Sequence, residues 1–275
     1  MAETFHGVMA RRRAGALRVP TASAGRRTAA LATSGLVALA VLVSVVLLWW
    51  NGGLSEAEQR YNAGVELQTQ GRLDEAVAAY DEAVRGEPEL AVAYYNRANA
   101  YAGLEQYERA IEDYDTAIGL SRPLAAAHAN RGIAYFKLGE LTRAVEDYTR
   151  AIRLDPELFR VYNNRGVAYE RLGEHERAIE DYTEVVRLSP DRAQALFSRG
   201  AAYGRLGQYE QAVADHEEVI RLAPGRPEAH ASRAIRHALL GDEEAASVEA
   251  GRALALGFDA AMMERLLGDV SGIGR

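Results

Sequence analysis

The chain has 275 residues, 48% of them hydrophobic and 26% charged, which is the balance of a folded protein and excludes a disordered tail. It contains no cysteine, so disulfides, thiolate metal sites, thiol nucleophiles and a lipid-modified cysteine are excluded. A formal charge of -7 argues against a nucleic-acid partner, which would require a basic stripe over the folded part.

The charge is unevenly placed. Residues 1–28 form a basic tail, with Arg11, Arg12, Arg13, Arg18, Arg26 and Arg27 against Glu3 alone. Ala29 to Trp50 (AALATSGLVALAVLVSVVLLWW) then runs 22 residues without a charge. At about 1.5 Å per residue a helix of that length spans roughly 33 Å, about one hydrocarbon core, so the stretch reads as a single transmembrane helix. A cleaved signal peptide would have a shorter apolar region and small residues at its cleavage site. This stretch ends instead in Trp49-Trp50-Asn51, and tryptophans suit the membrane interface.

Arginines near a span stay cytoplasmic. The expected topology therefore has the N-terminus inside and residues 51–275 on the far side of the plasma membrane of a bacterial-type cell. A mitochondrial import receptor has a similar layout with its repeats facing the cytosol. Ala30, Ser34 and Ala38 place small residues four apart on one helix face, a pattern that permits close packing against another transmembrane helix and that also arises by chance in an alanine-rich anchor. Residues 51–56 form a short linker. Ser55-Glu56-Ala57-Glu58 has the S-x-x-E form of a capping box and starts the first soluble helix.

From Ala57 to Ala260 the chain repeats every 34 residues. Gly64, Gly132, Gly166 and Gly200 fall in one column, with Ala98 and Ala234 in the same slot. Ala76, Ala110, Ala144, Ala178, Ala212 and Ala246 form a second column. Tyr80, Tyr114, Tyr148 and Tyr182 form a third, completed by His216 and Ala250, and Pro88, Pro156, Pro190 and Pro224 close four units. The units are 57–90, 91–124, 125–158, 159–192, 193–226 and 227–260. Within the third, Gly132, Tyr135 and Leu138 lie at helical spacing before Gly139 stops the helix, and a second helix from Ala144 to Leu154 is broken by Asp155-Pro156. Each unit is thus expected to be a helical hairpin, with its small residues where the helices cross and the tyrosines between hairpins. Residues 261–275 read as a capping helix over the last hairpin and a glycine-rich tail.

Units such as NRGIAYFKLGELTRAVEDYTRAIRLDPE resemble tetratricopeptide repeats. That resemblance implies an all-α, right-handed superhelical solenoid whose first helices line a concave groove for peptides or partner proteins, and it implies no reaction. Unit two departs from the pattern with Glu105 and Arg122 where glycine and proline are usual, and unit six lacks the proline.

If the family's geometry holds, Asn62, Asn96, Asn130 and Asn164 form a column in the groove, continued by Ser198 and Ser232. Such a ladder, similar to that of O-linked N-acetylglucosamine transferase, would hold the backbone of an extended peptide; alternatively these amides bond between neighbouring hairpins. Tyr61, Tyr95, Phe136 and Phe197, with Asn99, Lys137, Arg160, Asn163, Arg171 and Arg205, are further groove candidates. A carboxylate clamp is matched only in part, because Tyr95 and Asn164 stand where it has cations.

Arg97, Arg131, Arg165, Arg199 and Arg233 accompany Asp113, Asp147, Asp181, Asp215 and Glu249, and unit one has neither partner, so the two columns are expected to form structural ion pairs. His216, His230 and His237 lie on adjacent helices, but His216 and His237 sit in columns otherwise held mostly by tyrosine, and neither a metal nor a cofactor is expected. With no nucleophile motif or phosphate loop, the chain reads as a non-enzymatic, membrane-anchored scaffold for a protein or extended peptide, itself membrane-associated, with no small-molecule substrate. The alternative is an accessory or assembly subunit of a membrane complex, held through its transmembrane helix.

Overall fold

Helix α1 (Glu56–Thr69) starts at the expected capping box: the Ser55 hydroxyl accepts from the Glu58 amide at 3.1 Å, and the Glu58 carboxylate accepts from the Ser55 amide at 2.8 Å. Two otherwise orphaned amides are satisfied, which places the helix start without tertiary help. In this computed structural model the described residues are 54–121, 125–189 and 193–271, with side chains described to 268. The basic tail, the Ala29–Trp50 stretch with Ala30, Ser34 and Ala38, residues Arg122 and Pro190, and the last four residues lie outside them.

The helices continue as α2 (Leu73–Gly86), α3 (Ala91–Gly103), α4 (Tyr107–Leu120), α5 (Ala125–Lys137), α6 (Leu141–Leu154), α7 (Phe159–Leu172), α8 (His175–Leu188), α9 (Ala193–Arg205), α10 (Tyr209–Leu222), α11 (Pro227–Leu239), α12 (Glu243–Ala255) and α13 (Ala260–Ser271). Regular structure among the described residues is all helical, and no helix there is long and apolar enough to cross a membrane. The helices from α1 to α12 pair in chain order as six hairpins, and each hairpin's second helix packs on the first helix of the next. First helices of successive hairpins also touch, α1 with α3, α3 with α5, α5 with α7 and α9 with α11, and no such contact of similar extent joins second helices. The row therefore curves toward its first helices.

Close crossing explains the small columns. Ala76, Ala110, Ala144, Ala178 and Ala212 are fully buried. A Cβ on Gly132 would lie 2.7 Å from the Tyr148 ring, and one on Gly166 would lie 2.8 Å from Tyr182. The sequence pattern suggested that these tyrosines fill space between hairpins. Their rings do reach the next hairpin, Tyr80 packing with Ala100, Tyr114 with Ala127 and Tyr148 with Val161 and Ala168. They also fill the interior of their own hairpin against its glycine, where the helices cross too closely for a side chain on both sides.

Each hairpin turn needs one left-handed residue to release the first helix. At Gly139 (φ 80°) the amide bonds to the Phe136 carbonyl at 3.1 Å and the next amide, Glu140, to Tyr135 at 2.9 Å, satisfying the helix end. Glu105 takes the same role at φ 60°, with Gln106 N–H on Tyr101 at 2.9 Å, but its Cβ crowds the backbone there. Replacing Glu105 by glycine is expected to raise stability by about 1 kcal/mol. Chemical denaturation of the two proteins side by side checks this, and an unchanged or lowered midpoint would count against strain at the turn.

Candidate functional site

The face formed by the first helices collects the asparagine column, and the structure divides it. Asn96 Nδ2 donates to the Tyr61 hydroxyl of the preceding hairpin at 2.9 Å. Asn130 Nδ2 donates to Tyr95 Oη at 3.1 Å and to Asn99 Oδ1 at 2.8 Å, while the Tyr114 hydroxyl donates to the same Asn99 oxygen at 2.7 Å. These amides stitch hairpins together. Asn62 is exposed, with no hairpin before it. Asn164 is half-buried and lacks the bond of its counterparts, because the residue 35 positions earlier is Ala129, where Asn96 and Asn130 find tyrosines. Among the described residues neither Asn164 nor its neighbour Asn163 bonds to the hairpin before it.

Around them lie the charged candidates. The Arg171 guanidinium stands 4.8 Å above the Phe136 ring, joining α5 to α7, and remains exposed. Lys137 and Arg160 are exposed too, Arg160 being 6.0 Å from the Phe159 ring. Arg160 and Arg171 are three helical turns apart on one face of α7, with Asn163 and Asn164 between them. Arg205 is placed differently: it is largely buried in an ion pair with Glu170 of the preceding hairpin, whose other oxygen faces His175 Nδ1 at 3.7 Å. Tyr95 is half-buried against Tyr114, with ring centroids 6.0 Å apart.

The arginine and aspartate columns pair in four hairpins. Arg97 grips Asp113, Arg131 grips Asp147, Arg165 grips Asp181 and Arg199 grips Asp215, each through two N–H···O bonds. These are the expected structural pairs, and they lie inside the fold, since all four aspartates are buried. Burial pushes the Asp181 carboxyl above its ordinary value despite Arg165. Burial raises Asp147 as well, but Arg131 and the additional donor His128, at 3.1 Å, bring it below that value. The fifth pair does not form as expected, because Glu249 is held by His230 at 2.7 Å and by Arg252.

Sequence reasoning missed the arginine's third bond. Arg97 also reaches Asp81 at 2.6 Å, Arg131 reaches Asp115, Arg165 reaches Thr149 Oγ1 at 2.9 Å and Arg199 reaches Thr183 Oγ1 at 3.1 Å, all in the preceding hairpin. The signal was present as an oxygen-bearing residue sixteen positions before each of these arginines.

His216 is fully buried with Nδ1 3.1 Å from Ser232 Oγ, and His237 lies 3.7 Å from Asp242. No group of three or more metal-ligating side chains occurs among the described residues. The end of the face is covered by the chain itself. Helix α13 lies on α11 and α9, burying Met263 and Leu266 among Leu196, Phe197 and Ile235. Sequence reasoning placed this helix over the last hairpin; it lies across the first helices of the last two.

A curved row of stacked helical hairpins, with buried columns that recur every 34 residues, defines a helical-repeat solenoid. Family models of the tetratricopeptide repeat match residues 64–105 and 134–173, residues 157–225, and residues 91–122, so the chain carries tetratricopeptide repeats. Among solved structures it is similar to MamA, with 27% identity over 58% of this chain and 93% of that one at a TM-score of 0.56. It is also similar in fold to YrrB, described as a TPR protein with an unusual peptide-binding site, with 22% identity over 67% and 94% of the two chains at a TM-score of 0.58. MamA from Desulfovibrio magneticus RS-1 likewise shares the fold, with 22% identity over 62% and 96% at a TM-score of 0.58. No curated protein matches the chain.

Proposed function

We propose that this protein is a membrane-tethered scaffold of six repeats whose first-helix face holds an extended, acidic segment of a partner protein near the membrane surface. The reading rests on the surface between α5 and α7, where Lys137, Arg160 and Arg171 stand exposed, without ion-pair partners among the described residues, beside Phe136, Asn163 and Asn164. Cations there are out of keeping with the acidic remainder of the chain, in which the recurrent inner arginines are bound to aspartates. Three cations, an aromatic ring and side-chain amides are what an acidic peptide needs for charge, packing and backbone bonds. The solved relative with a peptide-binding site is in keeping with this use of the fold. The tether is read from the uncharged stretch Ala29–Trp50, and its orientation from the arginines before it.

The test is capture of partners by the tagged full-length protein from native membranes in mild detergent. Lys137→Ala, Arg160→Ala and Arg171→Ala combined should weaken recovery roughly tenfold, at about 0.5 kcal/mol for each exposed charge, with helicity unchanged. Undiminished capture would sink the assignment. If the partners instead leave only when the Ala29–Trp50 stretch is exchanged for an unrelated apolar helix, the chain is a subunit held through its span. Protease that trims residues 51–275 on intact spheroplasts supports the orientation, and full protection reverses it.

A further inference from the structure

The first-helix face changes character along the row. In the third and fourth hairpins it presents Phe136, Lys137, Asn163 and Arg171. In the last two hairpins the same columns hold Phe197, Ala231, Gly204, Ala238 and Leu239, which are small or apolar, and Arg205, whose charge is taken up by Glu170. Helix α13 fills this apolar part with Met263 and Leu266, three residues apart and only 3% and 4% exposed, while Glu264 and Arg265 point outward. Phe258, just before it, sets its edge on the Phe197 ring, with centroids 5.7 Å apart. A hollow of about 10 Å³, room for one water, is lined by Leu266 together with Gly204, Ile235 and Leu239.

This placement is not that of a cap. A cap continues the stack by covering the last second helix, as each first helix covers the second helix before it. Helix α13 does not do so, and α12 is left with Leu254 41% exposed, whereas its counterparts Ile118, Ile152 and Ile220 are partly buried against the core. The helix is 12 residues long, too short to be stable alone in water, and is joined through Gly257 at φ 91°. A short amphipathic helix lying in a groove by an apolar pair at helical spacing is the geometry of a helix-in-groove ligand.

We infer that α13 is a ligand held in cis: the first-helix face of the last two hairpins is a docking site for an amphipathic helix, which the chain's own α13 occupies until a partner helix bearing a similar apolar pair displaces it. This rests on the reading of the first-helix face as a binding face, at a different place from the cationic surface of α5 and α7. It gives the scaffold two zones, an open one for an extended acidic segment and a closed one for a helix.

The probe is a fluorescent synthetic peptide of residues 256–271, titrated in anisotropy against three proteins: the full chain, the chain ending at Leu256, and the full chain with Met263→Glu and Leu266→Glu. The two altered proteins should bind the peptide at 1:1 stoichiometry, at least tenfold more tightly than the unaltered chain, with a gain in helicity. Equal binding by all three overturns the proposal, as does no binding to either altered protein. If hydrogen exchange shows α9–α12 unfolded in both altered proteins, α13 is part of the core and the proposal fails. Adding the Lys137, Arg160 and Arg171 substitutions should leave peptide binding unchanged, so failure at one zone is distinguishable from failure at the other.

Discussion

Replacing Arg165 by alanine is expected to destabilise the protein by about 3–5 kcal/mol, because it strands the carboxylate of Asp181 in the interior. The Arg165 side chain bonds both oxygens of that carboxylate at 2.7 and 2.8 Å and the Thr149 hydroxyl at 2.9 Å, and lies between the rings of Tyr162 and Tyr169. One substitution therefore unties α7 from α8 and from the hairpin before. In a repeat array each hairpin is stabilised mainly by its neighbours, so the loss should appear first as faster amide exchange in α7 and α8 and then as a lower denaturation midpoint. Replacing both residues with apolar ones of similar volume, Arg165→Met with Asp181→Leu, should restore much of the stability, since no charge is then left buried. A loss under 1 kcal/mol in the single variant would mean that water reaches Asp181 and that these pairs are ordinary surface bridges.

Acid should weaken the fifth hairpin through His216, and His216→Tyr should remove that weakness. The imidazole is fully buried, its Nε2 has no hydrogen-bond partner, and burial pushes its pKa down to about 4 from 6.5. A folded-state value below the unfolded one makes a contribution that is intact above about pH 6.5 and is lost as pH falls toward 4, because the unfolded chain takes up a proton that the folded chain refuses. At pH 4 the loss amounts to roughly 3 kcal/mol. Tyrosine fits the same place: Tyr182 bonds Ser198 sixteen residues on, the spacing of His216 to Ser232, and Gly200 leaves room for the ring as Gly166 does for Tyr182. Urea denaturation of both proteins between pH 7 and pH 4 should give a widening gap in favour of the variant, the carboxylates common to both cancelling. Parallel stability curves would refute the burial of a neutral histidine.

The hairpins were legible in the sequence because the features that make them are local and repeated. Glycine at the turns, the capping box at Ser55 and alanine at the crossings follow from backbone conformation and side-chain size, and a 34-residue period repeats each signal until it stands out. The pairing of the arginine and aspartate columns was legible from their joint absence in the first unit. Their depth was not, since burial depends on neighbouring hairpins that no single unit encodes. The asparagine column was ambiguous for the same reason. Asn130 and Asn164 are alike in sequence context, yet one bonds to the preceding hairpin and the other has no such bond among the described residues, and the difference lies in Tyr95 against Ala129, 35 residues earlier.

The sequence by itself determined the helical hairpins and their order, because period, turn chemistry and small-residue spacing act within one or two units; the inner face formed by the first helices was implied only by the resemblance. The tertiary structure alone decided which side chains on that face remain open, that Arg205 is bound by Glu170, and that α13 lies across the last first helices rather than over α12. The physical reason is that these outcomes turn on contacts between residues a whole unit or more apart, and such contacts exist only once the hairpins have stacked.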